Sequence, residues 1–245
     1  MKRTFKDLCD QLKQKENIIV IGPGIDQNYN KIDSENFNKT YTIKNMRRNP
    51  KIAIDFYKNN LINKSIDSSI YDLIYSIPHT LIVDQNTNAP FDILKHEDYL
   101  ALHGHQFVFE CMKCKKKIKD IVMSDSITSD SKCECGSPIR PSILMSGEKY
   151  KGADYEKLMT SFVTAKTLFL IGVDFNEEFI CDIIDEFNKK RALDFKDYMI
   201  ICVKQKKDLL NLDQFGFFDF IVEDDNILES LKRFQKNVQA INNIE

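Results

Sequence analysis

At 245 residues, with 42% hydrophobic and 29% charged side chains, the chain is the size of one large globular domain or of a domain carrying a smaller module. Its formal net charge of -2 supplies no general attraction to nucleic acid or to an anionic membrane. No run of about 18 apolar residues is present, so no transmembrane helix is expected, and the charged segment 1–15 lacks the apolar centre of a secretory signal, which makes the cytoplasm the expected location.

In chain order, Phe5, Leu8, Cys9 and Leu12 share one face of a helix over 4–15. Ile18-Ile19-Val20-Ile21 then reads as a buried strand feeding the glycine turn Gly22-Pro23-Gly24, an opening common to nucleotide-binding α/β units. Residues 25–40 are polar and read as a loop. A helix after Pro50 carries Ile52, Phe56 and Tyr57, and another spans 66–76. Thr80 to Val83 is a second strand, ending at Asp84-Gln85-Asn86. Past residue 147, Leu158 and Phe162 mark a helix, 167–172 a third strand, 175–191 a helix with Phe179, Ile183, Ile184 and Phe187 at helical spacing, 198–203 a fourth strand, 218–222 a fifth, and 227–238 a closing helix. Strands alternating with helices predict a Rossmann-like α/β fold, a mostly parallel sheet covered by helices on both faces.

Between these halves lie Cys111-x2-Cys114 and Cys133-x-Cys135, with Gly136 after the second pair. Two short knuckles joined by a loop supply four thiolates to a tetrahedral zinc ion, and four protein ligands leave no open position, so the metal staples rather than catalyses. A reducing compartment favours ligation over disulfides. The competing reading is two unrelated buried cysteine pairs. Cys9, Cys181 and Cys202 sit in apolar runs and are expected in the core. Lys113 and 115–117 form a basic knuckle, read as a solvated face, with attraction to phosphate or an acidic partner as the lesser alternative.

Leu102-His103-Gly104, the two cysteine pairs, Arg140-Pro141, Ile143-Leu144 and Gly147-Glu148 follow one another in the order found in sirtuins, the NAD-dependent protein deacylases built from a Rossmann domain and a zinc ribbon. Arg48-Asn49-Pro50, Phe56-Tyr57 and Gln85-Asn86 add to this resemblance, which covers most of the chain and is specific over 102–148. It implies one domain, with a core of 1–106 and 148–245, a zinc-ribbon insertion at 107–147, and a small helical subdomain within 31–76. It also implies NAD as cofactor, an acyl-lysine peptide or protein as substrate, and nicotinamide release with acyl transfer to ADP-ribose, or ADP-ribose transfer in its place.

By the same resemblance His103 is the general base, a role that suits imidazole as a side chain able to accept and return a proton near neutral pH. Asn86 orients the nicotinamide carboxamide or a catalytic water. Gly22, Gly24, Gln85, Asn86 and Gly172 contact the cofactor, and Ile143, Leu144 and Gly147 bind the peptide, which pairs with 142–146 as an added strand. Read without the resemblance, His103 is a strand-end histidine satisfied by backbone, Asn86 a turn or cap residue, and the two glycines a tight turn. His105 reads as a surface or structural residue, and nothing nearby marks His79 or His96.

The sequence departs from the family at the phosphate turns. Asp26 and Asp174 stand where the family has hydroxyls, Asn88 where it has a carboxylate, and Ser146 where it has an aromatic. An aspartate beside a diphosphate opposes binding unless it turns away to cap the helix, and Pro23 deletes an amide donor. The alternative function is therefore a non-catalytic protein of the same fold that binds a peptide, a protein partner or another nucleotide. A zinc-ribbon nucleic-acid binder ranks third, disfavoured by the net charge.

Overall fold

The computed structural model describes residues 3–14, 16–26, 33–63, 65–150, 152–175, 177–193, 198–205 and 218–242. Helices α1 to α9 are Phe5–Lys13, Ser34–Thr40, Ile43–Arg48, Pro50–Phe56, Ser68–Tyr75, Val122–Ser126, Gly152–Thr164, Glu178–Leu193 and Ile227–Asn242. Strands β1 to β9 are Asn17–Ile21, Leu81–Asp84, Tyr99–Ala101, Val108–Cys111, Lys117–Lys119, Ile139–Pro141, Thr167–Ile171, Met199–Gln205 and Phe220–Asp224.

Six strands form one parallel sheet in the order β3-β2-β1-β7-β8-β9. Every residue of β1, β2, β7 and β8 is buried, as expected when helices cover both faces of a parallel sheet. Alternation assigns the side chains. Ile19, Ile21, Phe169, Ile171, Ile201 and Val203 meet α1, α5 and α9, while Ile18, Val20, Leu168, Leu170 and Ile200 meet α7 and α8. Each such fully buried Ile, Leu or Phe contributes about 1.5–3 kcal/mol.

A second sheet, β5-β4-β6, is antiparallel and carries the cysteines. It shares its own apolar cluster with the helical lobe α2–α4: Tyr41, Met46, Ile54, Phe56 and Tyr57 pack with Phe109, Cys111, Cys133, Ile139 and Met145. Tyr57 Oη donates to the Gln106 carbonyl at 2.6 Å, and the Gln106 amide bonds Asn63 N and O, fixing this lobe beside the end of β3.

Several expectations change. Within the expected loop 25–40, residues 33–40 hold α2, capped by Asp33, which accepts from Glu35 N and Asn36 N; α2 buries no residue, so it leaves no periodic signal. Residues 27–32 lie outside the described residues. Ile52 is 41% exposed, whereas Phe56 and Tyr57 are buried as expected, with Ala53 and Ile54 completing the face. A sixth strand, β3, is too short to show a pattern. Cys181 is exposed, unlike Cys9 and Cys202. No described helix is long and apolar enough to cross a membrane.

Candidate functional site

The parallel strands β1, β2, β3 and β7 end on one edge of the sheet, so the segments that follow them converge there, the usual place for a ligand crevice in open α/β sheets. Together with the 143–148 segment and the helical lobe they enclose a cavity of about 650 Å³. Gln85, Asn86, His103, Ile143, Leu144 and Gly147 all line it. Its size lies in the range of small-molecule sites.

Asn86 is held from beneath. Its backbone N–H and its Nδ2 each donate to Asp84 Oδ1 at 2.8 Å, and Nδ2 also reaches the Gly22 carbonyl at 3.0 Å. Asp84 Oδ2 accepts from Tyr71 Oη at 2.5 Å and Tyr99 Oη at 2.8 Å. Burial pushes the Asp84 carboxyl upward, against the hydrogen bonds that favour its charged form.

His103 follows β3, and the chain can turn there because Gly104 adopts φ +82°. A Cβ at Gly104 would lie 2.3 Å from the Ser142 carbonyl oxygen. The His103 Nδ1 lies 3.0 Å from the Gln85 carbonyl, which only accepts, so Nδ1 carries the hydrogen and Nε2 faces the cavity. There Tyr150 Oη lies 3.4 Å away and Glu177 Oε1 3.5 Å away. The Tyr150 ring stacks parallel to the imidazole, 9° between planes, and burial pushes its phenol up to about 12, so it remains a donor. Glu177 also accepts from Gln85 Nε2 at 2.6 Å. That bond orients the Gln85 amide and leaves its Oε1 buried without a partner.

The opposite wall is braced by an ion cluster. Arg140 donates to Glu110 Oε1 at 2.8 Å and to Glu148 Oε2 at 2.8 Å, and Glu148 accepts from Met145 N across the turn at Gly147. Leu144 N donates to the His103 carbonyl at 2.9 Å, and Ser146 N to the Tyr41 carbonyl at 3.0 Å, so this segment bridges the sheet and the helical lobe.

Gly22, Gly24 and Gly172 are not among the residues that line the cavity. They serve close approach between the ends of β1 and β7: a Cβ on Gly22 would lie 2.3 Å from the Val173 Cα, and one on Gly24 2.8 Å from the Gly172 oxygen. Gly22 N donates to the Ile171 carbonyl and Gly24 N to that of Gly172, so both amides are spent inside the protein. Pro23, Asp26 and Asp174 face the cavity from these turns. With Glu148 and Glu177 they give it four carboxylates counted as Asp26, Glu148, Asp174 and Glu177, and no Lys or Arg lines it among the described residues.

Sequence reasoning missed Tyr150, Glu177 and Asp84. Tyr150 and Glu177 reach His103 from distant segments, and only Asp84, an acidic residue closing an apolar strand, left a trace. His105, expected on the surface or in a structural role, is buried; Nε2 donates to the Ala89 carbonyl at 2.9 Å and Nδ1 accepts from Phe107 N.

The cysteine knuckles form a separate centre. Cys111 and Cys135 sulfurs lie 3.4 Å apart, Cys114 and Cys133 3.7 Å, and all four fall within 4.8 Å of one another. A tetrahedral zinc with bonds of about 2.3 Å needs ligand sulfurs about 3.8 Å apart, so the quartet fits the ion. Lys113 N and Cys114 N point at Cys111 Sγ, which stabilises a thiolate there.

The sequence model of the Sir2 family matches residues 23–176. A curated NAD-dependent protein deacetylase from Listeria innocua is 21% identical over 112 residues, covering 46% of this chain and 48% of that protein. One from Halalkalibacterium halodurans is 28% identical over 109 residues, covering 42% and 45%. The chain thus spans about half the length of the curated relatives it matches. Among solved structures, one described as giving the basis for the mechanism and regulation of Sir2 enzymes superposes with a TM-score of 0.72, at 15% identity, over 99% of this chain and 100% of the other. A complex of Sir2 with a p53 peptide and NAD+ gives 0.69, at 15% identity, over 97% and 100%.

Proposed function

This chain belongs to the Sir2 family, and on that premise we propose that its cleft binds NAD together with an acyl-lysine peptide or protein and acts as a protein-lysine deacylase. The observation that carries this reading is the convergence of three groups from two neighbouring strand ends: the His103 Nε2 after β3, and the Asn86 amide and the unpartnered Oε1 of Gln85 after β2. A buried acceptor without a partner costs about 1–3 kcal/mol, and a carboxamide N–H such as that of nicotinamide would satisfy it. The fit is to the nicotinamide and ribose half of the cofactor.

When bound, NAD supplies the electrophilic ribose carbon and the nicotinamide leaving group. His103, its Nδ1–H committed to the Gln85 carbonyl, presents Nε2 as the acceptor for a hydroxyl proton. Tyr150 holds the ring plane. Asn86, clamped by Asp84, keeps its amide fixed against the cavity floor. Ile143, Leu144 and Gly147 form the wall on which an extended peptide would lie. The zinc quartet holds the second sheet, and through it that wall, in place.

A second reading, a non-catalytic binder of a peptide, a protein or a different nucleotide, is favoured by the four carboxylates of the cavity. Thermal denaturation with NAD separates the two. A ligand that binds only the native state stabilises it by mass action, so Tm should rise progressively as NAD is raised through the millimolar range. An unmoved Tm would favour the second reading.

A further inference from the structure

We propose that Asp84 is a positioning residue for Asn86: it locks the side-chain amide with its oxygen toward the cleft, so that this corner accepts a hydrogen bond and selects a ligand carrying an N–H there. The proposal rests on the reading of the cleft as an NAD site and adds to it the atom that Asn86 presents.

Every donor of Asn86 is spent inside the protein. Its backbone N–H and one Nδ2 hydrogen meet Asp84 Oδ1, and the other Nδ2 hydrogen meets the Gly22 carbonyl. A carbonyl only accepts, and Asp84 Oδ1 must accept as well because the backbone N–H already points at it. These partners fix the amide in one orientation. Oδ1 is then the atom left for the cavity that Asn86 lines. Turning the amide over would break both Nδ2 bonds and set Oδ1 against two oxygens.

Asp84 is itself held in place. It closes β2, is fully buried, and accepts at Oδ2 from the hydroxyls of Tyr71 on α5 and Tyr99 on β3. Hydrogen bonds to a carboxylate are roughly twice as strong as those between neutral groups. The neighbouring amide is set the same way: Gln85 Nε2 is bound to Glu177, and Oε1 is the buried atom without a partner. Two successive residues thus leave oxygen, not nitrogen, unspent. Such acceptors suit a carboxamide NH2 and give nothing to a group with a methyl in its place.

Calorimetric titration of NAD and of its analogue with a methyl ketone in place of the carboxamide tests this. The analogue has the same charge and lacks only the NH2. A site built to bind an N–H rejects a ligand without one, so the wild type should favour NAD by about tenfold or more. Asp84→Asn should keep that preference, since an amide carbonyl accepts where Oδ1 does and its NH2 can donate to the tyrosine hydroxyls. Asp84→Leu, made together with Tyr71→Phe and Tyr99→Phe so that no hydroxyl is stranded beside an apolar side chain, should cut the preference at least about threefold. A merely structural role would weaken both ligands alike, and an unchanged ratio in that folded variant overturns the proposal. One measurement needs no variant: by NMR, the Asn86 side-chain amide protons of the wild type should exchange slowly with water. Fast exchange, or equal affinity for the two dinucleotides, overturns the role of Asp84 while the NAD reading stands. A loss in Asp84→Asn as large as in the leucine variant assigns the effect to charge and overturns it too. Absence of NAD binding to the wild type overturns the NAD reading and the proposal with it.

Discussion

Two histidines two residues apart show how local environment divides roles. His103 is part-exposed, with one nitrogen fixed by backbone and the other open to the cavity, whereas both nitrogens of His105 are satisfied inside the protein. Burial lowers the His105 pKa below its ordinary 6.5, because protonation would put a charge in an apolar site and turn the acceptor Nδ1 into a second donor facing Phe107 N–H. A base with a depressed folded value stabilises the native state above about pH 6.5, and that contribution is lost as pH falls below it. Urea denaturation of wild type at about pH 7.5 and about pH 5 should show a drop in midpoint on the acid side. In His105→Asn the drop should be smaller, though the variant starts from lower stability. An identical drop in both proteins would remove His105 as its source.

Legibility at this scale was uneven for a physical reason. His103-Gly104 could be read because the positive φ at Gly104 leaves few substitutes for glycine. Glu177 and Tyr150 could not, since nothing local ties them to the imidazole and only the β7–α8 connection and the 143–150 segment bring them to it.

Among the elements, the cysteine knuckles were the plainest signal, because ligand spacing is set by the metal and not by the rest of the fold. Their consequence was not visible in spacing. Cys111 and Cys133 pack in one apolar cluster with Tyr41, Phe56, Tyr57 and Met145, so the staple supports the helical lobe and one cavity wall as well as its own sheet. Metal analysis should give about one zinc per chain, and Cys133→Ser should lose it. Chelation should lower Tm, and hydrogen exchange should rise first across β4–β6 and α3–α4 while β1, β7 and β8 stay protected. Uniform exchange across both sheets would contradict this division. The glycine turn shows the opposite case: Gly-x-Gly was evident, but the backbone that Gly22 and Gly24 meet, Gly172 and Val173, follows β7 and lies far away in sequence. α2 escaped detection because its one apolar side chain, the part-buried Phe37, makes no periodic pattern.

For the whole molecule, the strand-helix alternation made the parallel sheet readable, since four strands buried on both faces must be continuously apolar. The edge strand β3, only three residues long, could not be read that way, yet it delivers His103. The cleft joins two unlike halves. One, around Gln85, Asn86 and His103, offers hydrogen-bonding groups; the other, around Asp26 and Asp174, carries carboxylates. On the proposed reading, Sir2 membership and the first half favour catalysis, and a carboxylate left facing a diphosphate would raise the NAD concentration that catalysis requires.

The most direct test is nicotinamide release from NAD in the presence of an acetyl-lysine peptide, measured for the wild type and for His103→Ala confirmed as folded. The account predicts release that depends on the peptide and falls at least about a hundredfold in the variant, the lower range for loss of a general base. Release unaffected by His103→Ala, or none from the wild type at saturating NAD, would contradict it.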